Sequence, residues 1–192
     1  LFKYARKLNQ KANFRKKEKK FIVEGLKEIE LCLKSNFIID MIFISNKKKS
    51  TKIDKLNIQT HQIDNNLLKK IIYRESEGIF AIVNYKLFDI EKLKLDDDEV
   101  FLILENPEKP GNIGAIMRTF EASGFKNIVL ADSNVEIFNP NTIRASLGSI
   151  FSLNIFQTKT NEIINFLEKN KFNIYSSYIK SNTDYKKIDF KK

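Results

Sequence analysis

The sequence holds one cysteine, Cys32, and one histidine, His61. A single thiol excludes an internal disulfide, and a single imidazole beside it excludes a Cys/His zinc site. Both absences fit a reducing cytoplasm. Cys32 lies beside Leu33 and three residues after Ile29, on the apolar side of an expected helix, and reads as a buried, inert thiol. No apolar run approaches the roughly 20 residues of a membrane span. No signal peptide is visible either, because the N-terminus alternates apolar and basic residues where a leader carries an apolar block. The chain opens on Leu1 and not on Met, so sequence ahead of it is expected. No internal repeat is found.

What is abundant is positive charge. The 192 residues carry a formal net charge of +10, which points toward a polyanionic partner. The charge is concentrated at the start: Lys3, Arg6, Lys7, Lys11, Arg15, Lys16, Lys17, Lys19 and Lys20 face one acid, Glu18. The chain is rich in Asn, Ile and Lys throughout, and charge alone leaves a solvated lysine surface as open a reading as nucleic-acid binding.

Hydrophobic periodicity divides the chain into two α/β units, 1–88 and 98–192. In the first, Phe21-Ile22-Val23 reads as a strand, and Glu24-Gly25 turns the chain into a helix with Leu26, Ile29 and Leu33 on its apolar side. Ile38 to Ser45, Ile58 to Ile63 and Ile79 to Val83 read as further strands, and Asn65 to Tyr73 as a helix with Leu68, Ile71 and Ile72 inward. Lys47-Lys48-Lys49 marks an exposed loop. Leu87 to Glu99 is a connector whose Asp96-Asp97-Asp98-Glu99 run caps the next strand from the solvent side. The second unit restarts with Phe101-Leu102-Ile103-Leu104, a continuous run expected of a buried parallel strand. A helix over Ile113 to Ser123, strands at Asn127 to Ala131 and Phe151 to Phe156, a helix over Asn161 to Lys169 and a strand at Phe172 to Ile179 follow. Such sheets bind ligands at the carboxyl ends of their strands.

The most informative stretch is Glu105-Asn106-Pro107-Glu108-Lys109-Pro110-Gly111-Asn112-Ile113-Gly114-Ala115-Ile116-Met117-Arg118-Thr119. Asn112 is placed to cap the helix. Ile113, Ile116, Met117 and Phe120 follow a helical apolar stripe and are expected to face the core. Arg118 then falls on the opposite side, in a bed of small residues, Gly114, Ala115 and Ala122. That bed is open to a phosphate or a backbone; a plain solvent-facing arginine fits the same spacing.

Asn-x-Gly-Ala-x-x-Arg-Thr after a strand and a Pro-containing loop resembles the first signature motif of the SpoU/TrmH family of RNA 2′-O-ribose methyltransferases, in the SPOUT superfamily. Asn139-Pro140-Asn141-Thr142-Ile143-Arg144-Ala145-Ser146-Leu147-Gly148-Ser149 is similar to the family's second motif. Arg15 to Gly25, ending Phe21-Ile22-Val23-Glu24-Gly25, is similar to the start of its substrate-binding domain. The three stand in the family's order. The resemblance implies an α/β chain with a small ribosomal L30e-like N-terminal RNA-binding domain, followed by a parallel-sheet SPOUT domain of the trefoil-knot type. It implies S-adenosylmethionine as cofactor, ribosomal or transfer RNA as partner, a cytoplasmic setting, a homodimer, and no metal or membrane. It assigns Arg118 and Asn112 to the catalytic centre and Arg15, Lys16, Lys17, Lys19 and Arg144 to RNA. Ser177 and Tyr178, in the Ser176 to Lys180 turn, are its candidates for the edge of the cofactor pocket. Arg144 and Ser146 are open to contacting RNA or to shaping the knot and dimer interface, with the structural role favoured for Ser146. Glu24 is expected to tie the turn after its strand to the following helix. The family's third motif, a Gly-Asn-Glu loop and a later Ser-Leu-Asn segment, does not occur before Lys192. The domain is therefore expected to be incomplete at the C-terminus, with Lys187 to Lys192 approaching the missing strand.

Two other classes stay open at this point. One is an RNA-binding protein without catalysis. The other is a nucleotide-binding α/β enzyme using the Pro110-to-Gly114 loop at a helix N-terminus, against which stands the lack of a Gly-x-Gly-x-x-Gly or Walker-type lysine motif.

Overall fold

The computed structural model describes residues 1–46, 53, 56–73, 78–96, 98–180 and 183–189; the Lys47-to-Lys49 loop of the sequence reading lies outside them. Two helices open the chain, α1 (Phe2–Gln10) and α2 (Ala12–Glu18). Helical spacing turns Ala5 and Leu8 of α1 inward and leaves its cations outside. Strand β1 (Lys20–Glu24), helix α3 (Leu26–Lys34), β2 (Ile39–Ser45), β3 (Thr60–Ile63), the single turn α4 (Asn65–Leu68) and β4 (Ile79–Asn84) complete the first unit. Its sheet runs β1-β4-β2-β3. β4 pairs antiparallel with both neighbours, and β2 and β3 run parallel.

The second unit contains β5 (Phe101–Glu105), α5 (Pro110–Ala122), β6 (Asn127–Ala131), α6 (Pro140–Ser146), β7 (Asn154–Thr158) and α7 (Thr160–Lys169). Its sheet, β5-β6-β7, is parallel throughout, with Leu102, Ile128 and Ile155 in register.

Strand alternation fixes the layers. On β4, Phe80 and Ile82 face one side, packing with Ala5, Leu8, Leu68, Ile71 and Ile72 under the basic helices. Ile79, Ala81 and Val83 face the other, where they join one apolar cluster with Ile113 and Met117 of α5, Ile143 of α6, and Ile128 and Leu130 of β6. The opposite face of β6, Val129 and Ala131, packs against Phe156 and, from α7, Ile163 and Leu167. The central cluster thus belongs to both units. Phe21 of β1 stacks on Phe138, which follows β6, with ring centroids 4.1 Å apart and planes 8° from parallel. Each fully buried phenylalanine of this kind contributes about 1.5–3 kcal/mol.

Cys32 is buried as expected, and burial pushes its thiol far above the ordinary range. Several boundaries differ from the sequence reading. β5 is half-buried and not wholly enclosed, because it forms an edge of its sheet. Ser149–Phe151 form a 3-10 turn, and the ladder to β6 begins only at Asn154. Phe172 to Ile179 is not a strand. Phe172 packs edge-on to Phe101, but Ile174, Tyr175, Tyr178 and Ile179 are exposed and no strand pairs with them among the described residues. β-type residues without a ladder partner stay extended coil. Tyr185–Lys187, near the end, form a 3-10 turn.

Candidate active site

Parallel pairing brings Glu105, Ala131 and Thr158 to one edge of the second sheet. The ladder continues one residue beyond each end: Asn106 N donates to Ala131 O at 2.8 Å and Asp132 N to Thr158 O at 3.0 Å. Both Asn106 and Asp132 then turn with positive φ. The loop after β5 leads directly into α5.

α5 starts three residues earlier than the apolar stripe suggests. Lys109 is its N-cap and Pro110 its first residue, a position where a missing N–H costs nothing. Asn112 is consequently not a cap but sits in the first turn, exposed. Arg118 lies six residues on, about 9 Å along the axis at about 1.5 Å per residue. Its side chain is exposed, and among the described residues no carboxylate holds it in an ion pair. Gly111, Ala115 and Ala122 are exposed around it, so the open bed exists on that side. Ile116, expected in the core, is 37% exposed on this same outer surface.

Gly114 does not belong to the bed. It is buried beneath α6. A Cβ there would overlap the Thr142 carbonyl oxygen and lie 2.7 Å from Ala145 Cβ and 2.9 Å from Ser146 N. The glycine of the first motif thus lets the backbone of the second pack directly on it. α6 is capped by Asn139, whose Oδ1 accepts from Asn141 N at 2.9 Å. It ends at Leu147 and Gly148, both with positive φ. Ser146 is buried and its Oγ donates to Ile143 O at 2.8 Å, the structural role favoured for it.

Arg144 projects from α6 toward the first unit. Its guanidinium carbon stands 4.1 Å from the centroid of the Tyr73 ring, and Nη2 donates to Asn141 Oδ1. Tyr73 is held there by Glu24, whose Oε2 accepts from Tyr73 N at 3.1 Å. Glu24 therefore ties the end of β1 to the segment before β4. Nothing in the sequence reading singled out Tyr73; its only mark was a tyrosine ending an apolar helical stretch.

Arg15 is withdrawn from the RNA-binding set. It is 2% exposed. Its Nε donates to Glu136 Oε2 at 2.5 Å, and its Nη1 donates to Leu8 O at 2.8 Å and Asn9 O at 3.0 Å. A guanidinium whose fork is spent inside the core cannot also reach a phosphate. Its neighbours Lys16, Lys17 and Lys19 are exposed. Lys19 lies 5.9 Å from the Tyr85 ring centroid.

Ser177 and Tyr178 are exposed on the unpaired segment after α7. A crevice of about 360 Å³ lies at the opposite, N-terminal ends of the strands. Asp96, Asp98 and Glu99 line it, which disfavours an anionic ligand. Glu99 also accepts from Asn127 Nδ2 at the start of β6, a strand other than the one this acidic run was expected to cap; Asp97 lies outside the described residues. No described helix is long and apolar enough to cross a membrane.

Comparison with known proteins covers both units. Residues 99–192 match the SpoU rRNA Methylase family, and residues 2–81 match the MRM3-like substrate binding domain. The 23S rRNA (guanosine(2553)-2′-O)-methyltransferase of Bacillus subtilis is 24% identical over 91% of this chain and 68% of its own length. An uncharacterized tRNA/rRNA methyltransferase of Borreliella burgdorferi is 31% identical over 73% of this chain and 70% of its own. The crystal structure of the SpoU methyltransferase AviRb from Streptomyces viridochromogenes, in complex with the cofactor AdoMet, superposes with a TM-score of 0.79 at 21% identity, covering 88% of this chain and 66% of that one. The chain spans between about a third and about two thirds of the length of the first curated relatives it matches. Two motifs interlocked at Gly114, an open arginine beyond them and these likenesses agree: the chain belongs to the SpoU rRNA methylase family.

Proposed function

We propose that the protein transfers a methyl group from S-adenosylmethionine to a ribose 2′-hydroxyl of ribosomal or transfer RNA, with Arg118 as the residue that grips the target nucleotide. The observation that carries this reading is the position of Arg118, exposed and unpaired among the described residues in a bed of small side chains. A guanidinium offers a fixed fork of donors that matches a phosphate, and its permanent charge favours a developing 2′-alkoxide. Asn112, exposed one and a half turns earlier, offers an amide to the same nucleotide. The cofactor's sulfonium supplies an already activated methyl group. Ser177 and Tyr178, on the exposed segment after α7, stand at the edge of its pocket in this reading. What this chain contributes is alignment of the accepting oxygen.

Residues 1–88 are the RNA substrate-binding domain in this reading and 98–192 the methyltransferase domain, in keeping with the separate matches to residues 2–81 and 99–192. Lys16, Lys17 and Lys19 supply phosphate contacts, and Arg144 contacts RNA from the second motif. The enzyme acts in the cytoplasm as a homodimer.

The test uses the full-length protein, ribosomal and transfer RNA, and a methyl-labelled donor. Labelled product resistant to alkaline hydrolysis identifies the 2′-oxygen. Arg118→Ala abolishes transfer while the unfolding temperature stays at the wild-type value. Transfer at the wild-type rate in that variant removes Arg118 from the mechanism. RNA binding without any transfer by the wild type would favour a non-catalytic RNA-binding protein.

A further inference from the structure

We infer that Tyr73 and Arg144 together form a stacking platform for an unpaired RNA base, at the junction of the two units. The inference rests on the RNA-directed reading above and adds a subsite to it.

Three observations build the site. Tyr73 is 66% exposed although its backbone is pinned by Glu24, so an aromatic face is presented to solvent from a fixed point. Arg144 lies over that ring at 4.1 Å and is steadied by Asn141 Oδ1. The result is a broad, flat, cationic surface in place of a mobile side chain. Beside it a small crevice of about 10 Å³ is lined by Ile22, Glu24, Glu28, Pro140, Ile143 and Arg144.

The chemistry selects the ligand. Aromatic rings and guanidinium planes are the surfaces on which unstacked bases settle, whatever their sequence. The platform is also correctly placed with respect to the proposed centre. Arg144 stands on α6, which touches α5 at Gly114, one helical turn before Arg118. An RNA strand running from Arg118 across α6 would bring a base next to the target nucleotide, swung out of its stack, onto the ring.

The probe is a short single-stranded oligoribonucleotide carrying 2-aminopurine, whose fluorescence is quenched on stacking. With the wild-type chain, binding quenches the signal. Tyr73→Ala loses the quench and weakens binding about tenfold or more, while the slope of log K against log salt is unchanged, because no phosphate contact is removed. Tyr73→Phe keeps both quench and affinity. Tyr73→Leu, which retains bulk without an aromatic face, behaves as Tyr73→Ala and serves should the alanine variant fold poorly. The same sequence annealed into a duplex gives no quench. Wild-type affinity and quench in Tyr73→Ala or Tyr73→Leu, or equal quench with the duplex, would overturn the platform while leaving RNA binding intact. Failure of the wild-type chain to bind any RNA would overturn both this subsite and the reading it rests on.

Discussion

Arg15 and Glu136, 121 residues apart in sequence, meet as a buried ion pair with Nε 2.5 Å from Oε2. The same carboxylate accepts from the Tyr85 hydroxyl at 2.5 Å and from Phe138 N at 2.9 Å. Burial, and then the bond to Glu136, hold the Tyr85 phenol far above its usual range, and the hydroxyl is the donor in this pair. One acid from the second unit thus gathers the basic helix α2 and the end of the first sheet. Removing one partner of such a pair leaves a charge stranded in the core, at a cost of about 3–5 kcal/mol. Glu136→Gln keeps the shape but not the charge and is expected to lower the unfolding temperature by about 10 °C. Calorimetry showing a shift of under about 1 °C would mean that the pair contributes nothing net.

Lys16 and Lys17, next to Arg15 in sequence, are expected to behave in the opposite way. The double variant Lys16→Ala, Lys17→Ala leaves the unfolding temperature unchanged but reduces the salt slope of single-strand RNA binding by about 0.7 for each lost contact. An unaltered slope would take these lysines off the RNA surface.

Two glycines in one helix separate packing from propensity. Gly114→Ala drives a Cβ into the Thr142 carbonyl, a backbone atom that cannot rotate away, and is expected to cost about 1–3 kcal/mol. Gly111→Ala meets nothing within 4 Å and is expected to be neutral or to stabilise by up to about 1 kcal/mol. Thermal melts of the two variants should therefore move apart. Equal melts would show that α5 does not sit on α6 as described.

Glu162 gives a pH test. Its Oε2 accepts from Thr158 Oγ1 at 2.5 Å and from Lys159 N at 3.1 Å, and the Thr158 bond first, then the Lys159 amide, holds its carboxyl below the ordinary range. A depressed folded-state value means that the stabilisation is present above the unfolded value, about 4.3, and is lost as the pH falls through the folded one. The melting temperature of Glu162→Gln should lie below wild type near neutral pH and converge with it as the pH falls below the unfolded value. Parallel curves across that window would exclude the cap as a source of acid sensitivity.

Much of this molecule could be read from residue spacing. Period-2 and helical patterns located every strand of both sheets and most helices, because β4 and β6 bury both faces and α3 and α7 bury one. Burial of Cys32 and the outward position of Arg118 followed from the same spacing. What the pattern missed is instructive. Arg15 sits among eight other cations, and nothing local distinguishes it; the acid that buries it lies 121 residues away. Glu136 itself carried a signal, as a lone carboxylate between Val135 and Ile137-Phe138. Asn112 has the chemistry of a cap, but Pro110 and the preceding loop let α5 start earlier. Gly114 resembled part of the open bed because helical phase gives its direction and not what packs there. Phe172 to Ile179 has β-type residues, but a strand is defined by its partner, and the pattern does not say whether one is present.

The stacked pair of Phe21 and Phe138 bears on how such proteins can be recombined. Their rings bury each other across the boundary between the two units, so the two are not interchangeable cassettes joined by a tether. A chimera spliced at the connector would juxtapose aromatic surfaces that never co-evolved, and any successful graft must carry both rings of this seam together.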